Sequence, residues 1–125
     1  MILDTSAAVA ILRKEPEADD FRRAIDGASS LGMSAASVLE LAIVTGASGA
    51  GVVDEFLAAL HVSVLSVDEE HLKWARYAHV NYGRGAGSVA RLNFGDCLTY
   101  GAAKATGQPL LFKGDDFSKT DLEPA

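Results

Sequence analysis

Short apolar runs alternate along this chain with longer segments in which apolar residues recur at helical spacing. Four of the runs predict strands: residues 1–3, Leu31–Ser34, Val62–Val67 and Leu110–Phe112. A run this short and this apolar is typical of a strand that is buried inside a sheet. Because the segments between the runs are helical, the pattern predicts a mainly parallel sheet that helices cover on both faces.

The helical segments differ in how their apolar residues are distributed. Ser6–Lys14 is apolar nearly all round, Ser37–Val44 predicts a buried helix, and Val52–Leu60 carries a single apolar stripe. A loop that contains Gly and Arg is predicted over residues 81–93. Further helices are predicted over Glu17–Ile25, the segment after Asp68–Glu70, and Phe94–Thr106, with breaks at Gly46–Gly51 and Gly114–Lys119.

Size and composition describe one globular domain. The chain has 125 residues, of which 49% are apolar and 22% charged, and this is enough to form a core without disulfides. Its single cysteine, Cys97, excludes an internal disulfide and is typical of a reducing compartment. We find neither a secretory signal nor an apolar run long enough to span a bilayer, and therefore expect a cytoplasmic protein without a membrane partner.

The net charge of −6 bears on whether this chain binds nucleic acid. An excess of acids argues against non-specific binding of nucleic acid through bulk charge. It does not exclude an enzyme that acts on nucleic acid, because carboxylates that hold cations make a chain acidic and the bound cations reverse the local field.

Acidic residues occupy unusual positions in four separate segments. Asp4 follows the first apolar run, and Asp115 and Asp116 follow the last one. The carboxyl ends of parallel strands share one edge of a sheet, where open α/β sheets bind their ligands, so we expect these acids to converge. Glu40 lies within an apolar helix, and Asp96 opens another helix.

Converging carboxylates require a cation, because like charges in a desolvated site raise one another's pKa. Oxygen ligands of this kind suit Mg²⁺ or Mn²⁺. One or two such ions can activate a water and stabilise the leaving oxygen of a phosphodiester. Glycoside hydrolysis is the alternative use of paired acids, and four acids in so small a chain fit it poorly.

Each of these acids also has an ordinary structural role. Asp4 and Asp96 stand where helix caps are common, and Asp115–Asp116 lies in a loop of the kind in which Asp is frequent. Glu40 has a solvated helix face as its alternative, although its apolar neighbours leave little polar surface there. The occurrence of acids at all four positions together favours a shared cation-binding site.

Four motifs carry these acids: Ile2–Ala7, Ser34–Glu40, Leu92–Cys97 and Leu110–Phe117. In this order the motifs resemble those of the PIN-domain ribonucleases, and within them the toxins of the VapC type. The resemblance covers essentially the whole chain. It implies a single PIN domain over residues 1–125, built as an α/β/α sandwich around a mainly parallel sheet of four to five short strands.

The resemblance also implies an activity, a cofactor and partners. The activity is that of an endoribonuclease dependent on Mg²⁺ or Mn²⁺, the toxin of a type II toxin–antitoxin system. The partners are a second copy of the chain, which makes a homodimer, and a cognate VapB-type antitoxin whose tail occupies the active-site groove in a larger assembly. Carried over by residue, Asp4 and Asp96 are the principal metal ligands, Glu40 completes the first site or positions the water, and Asp116 is the fourth acid, with Asp115 as its alternative.

Polar and basic residues near these motifs are candidates for supporting the acids or contacting RNA. Thr5 and Ser6 either orient Asp4 or cap the following helix, and Asn93 either touches substrate or shapes its turn. The loop Tyr82–Arg91 resembles that of the family but has no basic residue between Gly85 and Ala90. The candidate phosphate contacts are Arg84, Arg91 and Lys113.

Two other functions compete with RNA cleavage. The first is a phosphatase that uses Asp4 as a nucleophile; such enzymes usually carry a second Asp two residues later, where this chain has Ser6. The second is an interaction module that keeps the fold and binds only a partner, against which the complete set of acids argues.

Overall fold

A four-stranded, fully parallel sheet forms the centre of the molecule. The structure is a computed structural model, and it describes residues 1–125 apart from the side chains of Ser48 and Ala50. The strands are β1 (Ile2–Leu3), β2 (Gly32–Ser34), β3 (Ser63–Leu65) and β4 (Leu110–Leu111). Their order in the sheet is β3-β2-β1-β4, so β1 lies between two neighbours. The prediction of a parallel sheet is confirmed.

Six α-helices connect and cover the strands: α1 (Thr5–Leu12), α2 (Ala18–Asp26), α3 (Ala35–Thr45), α4 (Ala50–Ala59), α5 (Glu69–Tyr82) and α6 (Phe94–Thr106). Short 3₁₀ turns lie at Ala47–Gly49 and Phe117–Lys119. The break predicted at Gly46–Gly51 is therefore shorter than expected, because one turn of 3₁₀ helix leads directly into α4. Among the described residues, no helix has the length and apolarity needed to cross a membrane.

Two separate cores lie on the two faces of the sheet, as expected of an α/β/α sandwich. In register, Ile2 pairs with Leu110 and Leu3 pairs with Leu111. Side chains alternate between the faces of a strand, so the first pair packs against α5 and α6 and the second against α1 to α4. All four of these side chains are buried.

The crevice between β1 and β4 is where the chain changes direction in the sheet. The strands β2 and β3 extend the sheet on one side of β1, and the chain then crosses to β4 on the other side. The backbone N of Asp4 donates to the carbonyl of Leu111 at 3.0 Å, so the ladder between these strands continues to Asp4. Ligands of open α/β sheets bind at such a switch point.

Two predicted elements differ from the structure in their burial. The run at Val62–Val67 forms an edge strand of three residues, in which Ser63 and Val64 are exposed. The prediction that Ser37–Val44 is a buried helix is wrong for one face of α3, where Leu39 and Ile43 are 62% and 70% exposed. Composition alone does not distinguish an apolar face that the core covers from one that it leaves open.

Candidate active site

Asp4 lies directly after β1 and caps the N-terminus of α1. Its side chain is only 5% exposed, and both of its carboxylate oxygens accept hydrogen bonds. Oδ2 accepts from the backbone N (2.9 Å) and from Oγ (2.5 Å) of Ser6, and Oδ1 accepts from Oγ1 of Thr99 (2.9 Å). These donors compensate the burial of the carboxylate and fix its orientation.

The two hydroxyl residues that follow Asp4 support the site in different ways. Ser6 donates to Asp4 and accepts from the backbone N of Lys113 at 3.0 Å, so it ties the acid to the loop after β4. Thr5 Oγ1 donates to the backbone carbonyl of Ser37 at 3.1 Å, which ties α1 to α3. Both side chains therefore hold neighbouring elements together around Asp4.

Asp96 lies in the first turn of α6, where it forms a capping box with Asn93. The backbone N of Asp96 donates to Asn93 Oδ1 (2.8 Å), and the backbone N of Asn93 donates to Asp96 Oδ2 (3.0 Å). Burial raises the pKa of the Asp96 carboxyl to about 6, against the opposing effect of the hydrogen bond from Asn93. The charges of three neighbouring carboxylates contribute to the same rise in pKa: Asp4, Asp116 and Glu40.

Glu40 reaches the site from the middle of α3 and lies against the backbone of α6. A Cβ atom at Gly95, the residue before Asp96, would lie 2.6 Å from Glu40 Oε2. A side chain at position 95 would therefore force the Glu40 carboxylate to move. The absence of a side chain at Gly95 lets the acid of α3 approach the start of α6.

The two candidates for the fourth acid differ in their relation to Asp96. Asp115 and Asp116 are both exposed in the loop between β4 and the 3₁₀ turn at Phe117–Lys119. Among the described residues, the charge of Asp116 raises the pKa of Asp96 and that of Asp115 does not contribute. Of the two, Asp116 is thus the acid whose charge acts on Asp96.

The fold brings the four acids near one another without drawing them to coordination distance. Within the described part of the chain, no group of three or more His, Cys, Asp or Glu side chains is placed to hold a metal ion. A carboxylate offers roughly four lone-pair sites. Asp4 uses three of them and Asp96 one in the hydrogen bonds given above, so both acids keep oxygen sites for a ligand.

The three predicted phosphate contacts differ in whether their positive charge is already paired with a carboxylate of the chain. Lys113 Nζ lies 2.5 Å from Glu15 Oε2 and 3.2 Å from Glu17 Oε2, and its bonds to these two acids raise its pKa. Arg84 and Arg91 are exposed, and within the described residues neither pairs with a carboxylate. Arg84 Nε instead donates to the backbone carbonyl of Arg91 at 3.4 Å.

Three residues of this site were not among the residues predicted from the sequence: Ser37, Gly95 and Thr99. Ser37 and Gly95 lie within the second and third acidic motifs, but their roles depend on contacts between α3 and α6. Thr99 follows Asp96 by three positions, one turn along the same helix. That spacing places Thr99 on the Asp96 face of α6, but no signal in the sequence identifies its contact with Asp4.

The comparisons with known proteins agree on one family. The model of the PIN domain matches residues 1–123. Ribonuclease VapC30 of Mycobacterium tuberculosis is 44% identical over 98% of this chain and 95% of its own length. Ribonuclease VapC42 of the same species is 40% identical over 100% of this chain and 98% of its own length. The crystal structure of M. tuberculosis VapC20, described as a Sarcin-Ricin loop cleaving toxin, superposes on this chain with a TM-score of 0.76. The two sequences are 15% identical, and the superposition covers 99% of this chain and 97% of VapC20. This likeness supports the fold.

Proposed function

Because the chain belongs to the PIN-domain family, among its VapC-type ribonucleases, we propose that it is the toxin of a type II toxin–antitoxin system that cleaves RNA with a divalent metal ion. The observation that carries this proposal is the environment of Asp96. Three other carboxylates act on it through their charge, and burial and these charges hold its pKa at about 6. Such mutual repulsion is relieved when a cation binds.

The chemistry of the donor set fits Mg²⁺ or Mn²⁺. Asp4, Glu40, Asp96 and Asp116 offer only oxygen, which both ions prefer. Lys113, in the loop after β4, pairs with Glu15 and Glu17, so its charge is already matched by acids outside this set. The missing side chain at Gly95 leaves room for the Glu40 carboxylate beside the start of α6. We assign Asp4 and Asp96 as the principal ligands.

In the proposed reaction, the oxygen of a water attacks phosphorus and the bond from phosphorus to the 3′ oxygen breaks. The products are a 5′-phosphate and a 3′-hydroxyl. A bound Mg²⁺ or Mn²⁺ supplies a nucleophilic water at neutral pH and stabilises charge on the leaving oxygen. Glu40 either completes the ligand set or orients the attacking water, and Asp116 is the fourth acid.

Arg84 and Arg91 are the cations that we assign to RNA phosphates. Both are exposed, and no carboxylate of the described chain neutralises them. Lys113 contributes less, because its ammonium is already paired. Asn93 serves chiefly as the cap of α6, since its side-chain oxygen is occupied by the backbone N of Asp96.

The exposed apolar face of α3 supports the proposed protein partners. Leu39, Ile43 and Val44 are 62%, 70% and 43% exposed, and patches of this kind mark protein contacts. The similarly apolar helix α1 turns most of its apolar residues into the core. We therefore assign the α3 face to the homodimer, and the groove above the acids to the tail of a VapB-type antitoxin.

The activity is tested by incubating the purified protein with a 5′-labelled RNA in Mg²⁺, in Mn²⁺ and in EDTA. We expect cleavage with either ion and none in EDTA. Asp4→Asn and Asp96→Asn should each lower the rate roughly 100-fold or more, because even residues that only orient metal ligands cost 10–100-fold. Unchanged cleavage by both variants would contradict the proposal.

A matched pair of variants tests the assignment of the fourth acid. Asp116→Asn should slow cleavage, whereas Asp115→Asn removes the same charge from the neighbouring residue and should leave the rate near that of the wild type. The reverse ranking would assign the role to Asp115.

The dimer is tested by sedimentation. Ile43→Asp places a charge on the α3 face and should produce monomer at concentrations where the wild type is dimeric. Val64→Asp, on the exposed edge strand, is the matched control and should leave the dimer intact. A monomeric wild type would contradict the assignment.

A further inference from the structure

A chain of buried hydroxyl groups lies behind Asp4. Thr99 Oγ1 donates to Asp4 Oδ1 at 2.9 Å, and Ser37 Oγ lies 3.0 Å from Thr99 Oγ1. Ser37 and Thr99 are only 3% and 1% exposed. A threonine hydroxyl carries one proton, which Thr99 gives to Asp4, so Ser37 is the donor in the second bond. The chain therefore has one direction, from Ser37 through Thr99 to the carboxylate.

The two hydroxyls also join the helices that carry the other acids. Ser37 precedes Glu40 by three residues on α3, and Thr99 follows Asp96 by three residues on α6. Residues three apart lie on the same face of a helix. The bond between Ser37 and Thr99 thus connects α3 to α6 one turn away from both acids, and sliding one helix along the other would break it.

Two other helical threonines, Thr45 and Thr106, satisfy their hydroxyls within their own helix. Thr106 Oγ1 donates to the carbonyl of Ala102 at 2.7 Å, and Thr45 Oγ1 to that of Leu41 at 3.0 Å. This bond to the preceding turn is open to any helical threonine. Thr99 instead gives its proton to a carboxylate from another element, 95 residues away in sequence.

We infer that Ser37 and Thr99 are positioning residues for the metal ligands: they orient the Asp4 carboxylate and set the spacing of α3 against α6. This inference rests on the proposed function. On the opposite side, Ser6 holds Asp4 Oδ2, and Lys113 N donates to Ser6. Each oxygen of Asp4 is therefore held by a donor that is itself held by a further donor.

The test is the affinity for Mn²⁺, measured without RNA by the loss of the electron paramagnetic resonance signal of free Mn²⁺. Thr99→Val keeps the shape and removes the hydroxyl, and should weaken binding by about 10–100-fold, the usual effect of losing a residue that orients a ligand. Thr99→Ser restores the hydroxyl and should restore affinity to within about threefold of the wild type. Ser37→Ala should fall between these two.

Thr106→Val is the matched control on the same helix and should leave Mn²⁺ affinity unchanged. If Thr99→Val proves unfolded by circular dichroism, the comparison of Ser37→Ala with wild type decides the question. Wild-type affinity in a folded Thr99→Val or Ser37→Ala would overturn the positioning role while leaving the proposed ribonuclease intact. A wild-type protein that binds no Mn²⁺ and cleaves RNA in EDTA would overturn both.

Discussion

The starts of α1 and α6 each present an acid to the same site, yet they surround it differently. Asp4 is almost fully buried and accepts three hydrogen bonds, from Ser6 and Thr99. Asp96 is half-buried, accepts one bond from the backbone of Asn93, and has its pKa raised to about 6 by burial and by the other acids. The charge of Asp4 is compensated by three donors, and that of Asp96 by only one.

If the proposed metal site is correct, this difference separates the two requirements of such a site. Fixed donors give Asp4 a defined orientation, which is the geometric requirement. The charge of Asp96 is repelled by the other acids and compensated by only one donor, so neutralising this charge would favour the binding of a cation. This is the energetic requirement. Asp4 thus contributes a fixed ligand orientation, and Asp96 contributes electrostatic attraction for a cation. Substitutions at the two positions should separate these contributions.

The largest expected effect is opposite changes in stability at the two acids. In EDTA at pH 7.5, Asp4→Asn should lower the free energy of unfolding by about 1–3 kcal/mol, because an amide NH₂ then faces hydroxyl donors. Asp96→Asn should raise the melting temperature, since it removes a repelled charge and its amide oxygen still accepts from Asn93. Thermal unfolding measures both, and changes of the same sign would remove the contrast.

A smaller effect is expected from Gly95→Ala, which alters the approach to Asp96 without touching Asp4. The added Cβ would lie 2.6 Å from Glu40 Oε2 and displace that carboxylate. Cleavage should fall about 10–100-fold, as expected when a reacting group moves by an ångström or so. The matched control is Gly51→Ala on α4, where a Cβ meets nothing within 4 Å. Equal rates for the two variants would show that the Glu40 contact is immaterial.

The smallest effect is the pH dependence of stability in metal-free protein. The pKa of Asp96 is about 6 in the folded chain and 3.8 in the unfolded reference, so the folded state binds more protons between these values. Its contribution to stability therefore rises as the pH falls through 6, by on the order of 1 kcal/mol after allowing for partial exposure. Melting curves of wild type and Asp96→Asn should converge as the pH is lowered from 7.5 to 5, and a constant gap would contradict the raised pKa.

The sequence allowed the positions of the acids to be predicted, because each depends on local structure. Asp4 follows a short buried strand, and Asp96 follows the Asn that caps its helix, so patterns within a few residues were sufficient. The role of Thr99 depends on a contact between residues 95 apart, which exists only once α6 has packed beside β1. No local pattern encodes that contact.

The burial of the two most apolar helices could not be predicted for a related reason. Ser6–Lys14 and Ser37–Val44 look alike in composition, since both are rich in apolar residues. In the fold, α1 packs against α2 and α3 in the core cluster that contains Leu3 and Leu111, whereas Leu39 and Ile43 on α3 stay exposed. Which face meets the core is decided by the order of the strands rather than by the helix itself.

The hydrogen bond from Lys113 N to Ser6 Oγ offers a way to observe the site from outside it. This amide lies two hydrogen bonds from the Asp4 carboxylate, through a single serine hydroxyl. When a ligand draws electron density from Asp4, the Ser6 hydroxyl repolarises and the proton of the Lys113 amide changes its shielding. A ¹⁵N-labelled sample should therefore report occupancy of the acids through one backbone resonance, without any probe introduced among them.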